Sequence, residues 1–376
     1  MVRGFRSKGV LFLFAATVGL LLGAQPGQQG PLFPKAEQEE FFKQSFAALG
    51  QGKANEAVRL ATAGIRADAT NYFAYIKRAQ IHDMILQRSS AVRDFTTALQ
   101  LNPRAGEAYH LRGCAQFKLG RVKEAINDWL TYVRRFEPKA EVHHWQLGIA
   151  YALDGRFAAG RKQFNWHWTV NHKDAEVALW QFLCVAKLEG LERARAELIT
   201  VEPDKRVPMA ELHELYAGRL RPSGVMKAVA AASPDAAELA KRQFFANWYI
   251  GLFYEAAGKL PEALMHVDRA SRIALGNAHL GFRGDSPNGQ LRGGDIVLVH
   301  RDRLKAALEH ERAAAWATDP ARVAELRMLR VSIVMGFLIL VYVGGRLAWA
   351  RRRIRGETGE KAATSRAPRK AEEVAA

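Results

Sequence analysis

Four histidines, His143, His144, His167 and His172, fall close together in the chain. Imidazoles are common metal ligands and proton carriers near neutral pH. A zinc-type site needs three or four ligands converging on one point. His143 and His144 are adjacent, so on a helix they point about 100° apart and do not easily share an ion. No HExxH or CxxC spacing accompanies them, so they read as surface or interface residues. Cys114 and Cys184, the two cysteines, belong to different hairpins and read as small buried side chains rather than a bridge. Glu39 and Glu40 read as a solvated helix face, not an acid–base pair. The glycines between Gly276 and Gly294 resemble a phosphate cradle only in composition, since no GK[ST] follows and no strand–loop–helix order surrounds them. No nucleophile is matched to a base. The expectation is a chain that is not an enzyme, with no catalytic residue, cofactor or metal.

Binding is the chemistry that remains, and the elements that would position it repeat. Tyr75, Ala79, Ala91, Phe95, Ala98 and Pro103 make one set; Tyr109, Gly113, Gly120, Ala125 and Trp129 a second; Leu147, Gly148, Tyr151, Gly155, Gly160 and Phe164 a third. Ala79, Gly113 and Gly148 mark the same point in each set, and two helices per period of about 34 residues is the signature of a tetratricopeptide repeat (TPR) solenoid. Gly or Ala lets the two helices of a hairpin cross closely, and Phe95, Trp129 and Phe164 are expected to fill the gap to the next repeat. One such hairpin cannot bury its own apolar face, so stacking supplies the core. A degenerate first repeat precedes them: Ala57, Ala61 and Gly64 each stand one full period before Ala91, Phe95 and Ala98.

A TPR groove is lined mainly by the first helix of each hairpin. Counting from the small residue of each repeat, the candidates are Ile76, Gln80, Asp83 and Met84, then His110, Cys114, Phe117 and Lys118, then Trp145, Ile149, Ala152 and Leu153. This apolar mixture with a few polar groups suits an amphipathic helix or an extended peptide. The Lys and Asn positions with which chaperone-binding TPRs clamp a carboxylate are absent. Trp145 and Ile149 have a second reading, as packing against the neighbouring repeat.

Beyond Trp168 the pattern loosens. Two helices are expected around Gly190, a further one from Met209 to Leu220, a turn at Pro222-Ser223-Gly224, and a helix starting at Pro234 with Ser233 as its N-cap. Repeat grammar returns at Ile250, Gly251, Tyr254, Gly258, Ala263 and Ala270. The segments DAEVALWQFLCVAKLEG, ELHELYAGRL and FFANWYIGLFYEAAGKLPEAL, in that order, resemble the NlpI-type TPR proteins of bacterial envelopes, and the resemblance covers about residues 37–275. It implies an envelope adaptor that dimerises and docks a tail-specific protease and cell-wall hydrolases. This chain departs from that pattern in lacking a lipid-carrying Cys and in having an apolar helix near its C-terminus.

The two ends speak about location. Residues 1–24 read as a secretion signal, with Arg3, Arg6 and Lys8 before the apolar run Val10–Leu22. Residues 25–36 read as a linker. Asp319 and Pro320 are expected to start a helix that continues through an apolar run from Val331 to Trp349, broken only by Arg346. Twenty helical residues span about 30 Å, the thickness of a bilayer core. Arg351, Arg352, Arg353 and Arg355 follow at once, which by the positive-inside rule places the C-terminus in the cytoplasm. The net charge is +17, of which the first 24 residues carry +3 and residues 328–376 carry +6. The remaining +8 is spread over the solenoid and does not form a nucleic-acid stripe, so no nucleic-acid partner is expected.

The resulting expectation is all-α: signal 1–24, linker 25–36, TPR solenoid 37–275, Gly-rich loop 276–300, juxtamembrane helices 301–329, transmembrane helix 330–350 and basic tail 351–376. The solenoid would lie outside the inner membrane as a tethered scaffold for other envelope proteins or peptides, in proteolysis or cell-wall remodelling. The alternative is a subunit of a membrane-embedded assembly, such as a secretion or cytochrome-assembly complex. Homodimerisation is implied by the family resemblance alone.

Overall fold

The computed structural model describes residues 36–202, 204–282 and 291–364. The expected signal sequence, most of the linker and the end of the basic tail lie outside the described residues. All regular structure among the described residues is helical. Four hairpins come first: α1 (Ala36–Gly50) with α2 (Ala54–Ala67), α3 (Tyr72–Met84) with α4 (Arg88–Leu101), α5 (Gly106–Lys118) with α6 (Val122–Arg135), and α7 (Trp145–Leu153) with α8 (Phe157–Trp168). A 3₁₀ turn at Pro138–His143 separates the third from the fourth. Then follow α9 (Ala175–Glu189), the short α10 (Leu191–Ala196), α11 (Met209–Tyr216), α12 (Pro222–Ala230), and the long pair α13 (Ala236–Ala256) and α14 (Leu260–Gly276). Helix α15 (Gly293–Thr318) and helix α16 (Pro320–Thr364) complete the order. The chain is an all-α TPR solenoid with one long apolar helix near its C-terminus.

The hairpin turns recur at the expected period. Gly52, Leu86 and Gly120 occupy the same place in successive repeats, and all have positive φ, at 75°, 65° and 75°. Each closes the first helix of its hairpin with the same pair of backbone bonds; Gly120 N–H reaches Phe117 O at 2.8 Å and Arg121 N–H reaches Gln116 O at 3.0 Å. Close crossing follows from the small residues. A Cβ on Gly113 would lie 2.6 Å from Trp129 Nε1, and one on Gly148 would lie 2.5 Å from Phe164 Cε1. The aromatic therefore sits on the glycine of its own hairpin partner, and Phe95 and Trp129 also reach the next repeat, where they pack with Leu111 and Ala115 and with His144.

A polar clamp, also in register, reinforces two hairpins. Arg78 donates to both oxygens of Asp94 at 2.7 and 2.8 Å and to Thr62 Oγ1 at 3.2 Å. One repeat later, Arg112 does the same with Asp128 at 2.8 and 2.7 Å and Thr96 at 3.2 Å. Each clamp ties three successive helices together through a bidentate, partly shielded ion pair.

Three local expectations change. Pro222 starts α12 at its first position instead of making a turn, because Pro lacks an N–H that the first helical turn does not use. Asp235, not Ser233, caps α13 by accepting from Glu238 N–H at 2.8 Å; Ser233 has a left-handed φ of 44°. The later part of the Gly-rich stretch is helix: α15 begins at Gly293, where Gly294 N–H meets Phe282 O at 2.7 Å and a Cβ would lie 2.3 Å from that oxygen.

Packing divides the chain into two units, one ending at Lys305 and one from Ala306 onward. In the second, Asp319 Oδ1 accepts from Ala321 N–H at 3.0 Å and so starts α16. Its stretch Pro320–Arg353 is long and apolar enough to cross a membrane, and its large apolar side chains, from Leu326 to Trp349, are exposed.

Candidate functional site

The candidate groove residues separate into two groups. In the second and third hairpins, on α3 and α5, most are sealed. Ile76 is buried with Ala79 and Phe95 in the core around α4. Phe117 and Cys114 are fully buried, and Phe117 stacks on Trp129 at 5.7 Å. Gln80 is buried, and Met84 is half-buried. Asp83 is buried and accepts from Lys118 Nζ at 2.6 Å; the Lys118 side chain has no exposed surface.

The chain itself closes this part. Asp295, in the first turn of α15, accepts from Arg88 Nη2 at 2.9 Å, and Arg88 Nε lies 3.9 Å from Asp83 Oδ1. Ile296, Val297, Val299 and Leu304 of the same helix are buried. Further along, His300 joins α13: its Nδ1 accepts from Trp248 Nε1–H at 3.3 Å, so Nε2 carries the proton and donates to Glu255 Oε2 at 2.7 Å. Arg301 reaches Ser271 Oγ on α14 at 3.3 Å. The first turns of α15 thus bridge the early hairpins and the α13–α14 pair.

The histidines expected at the surface behave differently from one another. His143 is exposed, and His172 packs against Trp168 at 5.5 Å. His167 Nδ1 faces Val142 O at 3.2 Å. His144 is buried against Trp129 and His110, with ring centroids at 5.2 and 5.6 Å, and neither of its nitrogens has a partner. Burial drives the His110 pKa down to about 4 and that of His144 to about 3. His110 also lies 3.8 Å from Cys114 Sγ. Burial pushes the Cys114 thiol up to about 12 and the Cys184 thiol up as well, and both cysteines are free. Among the described residues no three His, Cys, Asp or Glu side chains gather as a metal site.

Trp145 and Ile149 are the exceptions to the sealed face. They open onto a cavity of about 350 Å³. Phe164 of α8 and Val177 and Trp180 of α9 form one side, and Phe244, Phe245 and Trp248 of α13 the other. Phe282 and Gly293 close the end; a Cβ on Gly293 would press on Trp248 and Phe244 at 3.1 and 3.2 Å. Phe282 packs on Phe244 with centroids 4.4 Å apart. Sequence reasoning did not bring these walls together, although the aromatic run FFANWYIGLFY was a visible signal.

The charged groups at the mouth are largely spoken for. Glu176 accepts from Arg206 Nη1 at 2.7 Å and, through its other oxygen, from the Tyr249 hydroxyl. Asp174 Oδ1 caps α9 by accepting from Glu176 and Val177 N–H. Hydrogen bonding to Asp204 raises the Arg206 pKa above its usual value, and burial raises that of Tyr249. Lys241 is exposed. The cavity is therefore an aromatic slot whose rim carries the bonded Glu176–Arg206–Asp204 group and the exposed Lys241. A slot of this kind can hold an apolar side chain.

No family model matches the chain. Among solved structures it is similar to a tetratricopeptide repeat protein from Parabacteroides merdae, at 16% identity and a TM-score of 0.47, over 66% of this chain and 97% of that one. It is also similar to PilW, described as a widely conserved type IV pilus biogenesis factor, at 13% identity and a TM-score of 0.39 over 65% and 95% of the two chains. MamA from Desulfovibrio magneticus matches at 15% identity and a TM-score of 0.39, over 54% and 100%.

Proposed function

We propose that this chain is a membrane-tethered scaffold whose exported solenoid captures a segment of another envelope protein in the slot between α7, α9 and α13. The observation that carries this reading is the slot itself: several large aromatic side chains converge there around open volume, whereas the rest of the candidate groove is packed shut. Concave, mostly apolar pockets of a few hundred Å³ are where ligands bind. Trp145, Ile149 and the residues around them are the site; Asp83, Lys118 and Phe117 hold the frame.

Location follows from the ends. Residues 1–24 direct export, α16 crosses the inner membrane, and the arginines from Arg351 to Arg355 keep the C-terminus cytoplasmic. The resemblance of residues 37–275 to NlpI-type adaptors favours partners in proteolysis or cell-wall remodelling, and a homodimer.

A photo-reactive residue at Trp145, compared with one at Lys123 on the exposed face of α6, tests this in intact membranes. Cross-links to one envelope protein from Trp145 and not from Lys123 are expected. Cross-links from Lys123 alone would refute the slot, and recovery of integral membrane subunits alone would replace the tether with a membrane-embedded assembly.

A further inference from the structure

The apolar run of α16 from Val331 to Ala350 contains one charged residue, Arg346, and no Asp or Glu occurs between residues 326 and 356. The Arg346 side chain is exposed. Ionisable residues within a membrane span pair with an opposite charge or reach for the interface, and the neighbouring turns of α16 offer Arg346 no carboxylate. From Arg346 to the end of the run the helix rises about 6 Å, a distance that an arginine side chain covers by extending toward the cytoplasmic headgroups.

The same face of the helix shapes what that guanidinium meets. At about 100° per residue, Tyr342, Arg346, Trp349, Ala350 and Arg353 fall within an arc of about 100°. Tyr342, Arg346, Trp349 and Ala350 line one open depression. Arg353 lies over the Trp349 ring, with its guanidinium carbon 5.6 Å from the centroid. Ala350 stands between the two arginines and carries only a methyl, so the space between them stays open. Tyr342 and Trp349 are exposed, and aromatic rings of this kind sit at headgroup level in a bilayer. A guanidinium presents its N–H groups as a fork that matches a phosphate. Arg351 and Arg352 add positive charge beside the gap. A headgroup with its own ammonium would bring a like charge to these arginines, whereas a net negative one would not, and basic clusters just inside a membrane helix attract anionic lipids.

We propose that the cytoplasmic end of α16 binds one anionic phospholipid, with its phosphate between Arg346 and Arg353 and its acyl chains along Ile339, Tyr342 and Val343. This rests on α16 crossing the membrane as a tether and gives the inner end of that tether a ligand.

The test is native mass spectrometry of the full chain in detergent micelles, titrated with phosphatidylglycerol and with phosphatidylcholine. One phosphatidylglycerol bound in preference to phosphatidylcholine is expected. Arg346→Leu should weaken it about fivefold. Arg352→Leu removes the same charge about 120° away around the helix and should weaken it by about twofold at most. Equal binding of the two lipids would overturn the proposal. Equal losses in the two variants would do so as well, because general attraction needs no particular arginine. Displacement of the lipid by millimolar inorganic phosphate would make this a free-anion site and overturn it. Loss of a co-purifying integral membrane protein in Arg346→Leu, with lipid binding unchanged, would assign Arg346 a protein carboxylate and overturn it too. Alkaline carbonate extraction of membranes separates the site from the tether. Release of the chain would overturn both, and retention without a lipid preference would overturn the lipid site alone.

Discussion

Hairpins α3/α4 and α5/α6 use one polar device twice, while the hairpin after them does without it. Leu147 and Gln163 stand one repeat beyond Arg112 and Asp128, where a third clamp would fall. Leu147 is buried, and Gln163 turns to the backbone, donating to Glu141 O at 2.7 Å. The clamped hairpins present a closed inner face, filled by their own side chains and by Asp295 from α15. The unclamped one opens onto aromatic walls from α9 and α13. A bidentate ion pair fixes the relative position of three helices. Where apolar contacts replace it, the spacing is set by side-chain bulk, and a slot is left where the bulk does not meet. Closure and openness are thus properties of neighbouring repeats, not of the fold as a whole.

The largest expected effects test this division directly. Trp129, fully buried on Gly113, is part of the closed half; Trp129→Ala should destabilise the solenoid by about 3–5 kcal/mol in urea unfolding. Trp145 is only half-buried at the mouth of the slot, so Trp145→Ala should cost about 1 kcal/mol or less while abolishing partner cross-links. Equal losses would erase the distinction between the two halves. Asp295→Ala comes next. It leaves Arg88 shielded with only Asp83 at 3.9 Å for compensation, and should cost about 3 kcal/mol. Adding Arg88→Met should return most of that, because an apolar pair carries no desolvation penalty. No recovery in the double variant would mean that the loss comes from the other contacts of Asp295, not from a stranded Arg88 charge.

How much of this could be read in advance depended on sequence separation. The hairpins were legible because Gly113 and Trp129, or Gly148 and Phe164, sit at the same short spacing within one hairpin and recur. The clamps were equally periodic, at Arg78 and Arg112 and at Asp94 and Asp128, but a charged pair on a helix surface is usually solvated, so the pattern carried no weight. The filling of the groove was not legible. It depends on Arg88 meeting Asp295, far along the chain, through a helix whose first residues are two glycines. Glycine suggested a loop there, yet close approach to Phe282, Phe244 and Trp248 is what those positions require. Trp145 and Ile149 were identified from their register, and the rest of the slot from α9 and α13 was not, since no short-range spacing links Trp180 to Trp248.

The seam between the two halves should be sensitive to acid. His144 precedes α7 and packs on Trp129 and His110 of the clamped side. Its facing groups are neutral; no carboxylate partners either nitrogen. Burial holds its folded pKa at about 3, against 6.5 when unfolded. The unfolded chain therefore binds a proton that the folded chain refuses, and stability falls as pH drops below 6.5, levelling off near the folded value. At pH 5 this amounts to about 2 kcal/mol relative to pH 7. His144→Phe should remove that part of the pH dependence. An unchanged slope between pH 7 and 5 in the variant would assign the acid sensitivity to other groups.

The smallest effect separates backbone from packing within the clamped half. Gly120 and Leu86 occupy equivalent turn positions with left-handed φ. A Cβ on Gly120 would meet nothing within 4 Å, so Gly120→Ala changes only backbone strain and should cost about 1 kcal/mol. Leu86 already bears that strain, and it is 49% exposed, so little packing is lost on truncation. Leu86→Gly relieves it but gives the unfolded chain more freedom, which offsets roughly 0.5–1 kcal/mol. A net gain below about 1 kcal/mol is expected, read as a higher urea midpoint at constant slope. If Leu86→Gly instead loses stability, the leucine side chain makes contacts worth more than the strain, and the second turn is held by packing where the third is held by its glycine.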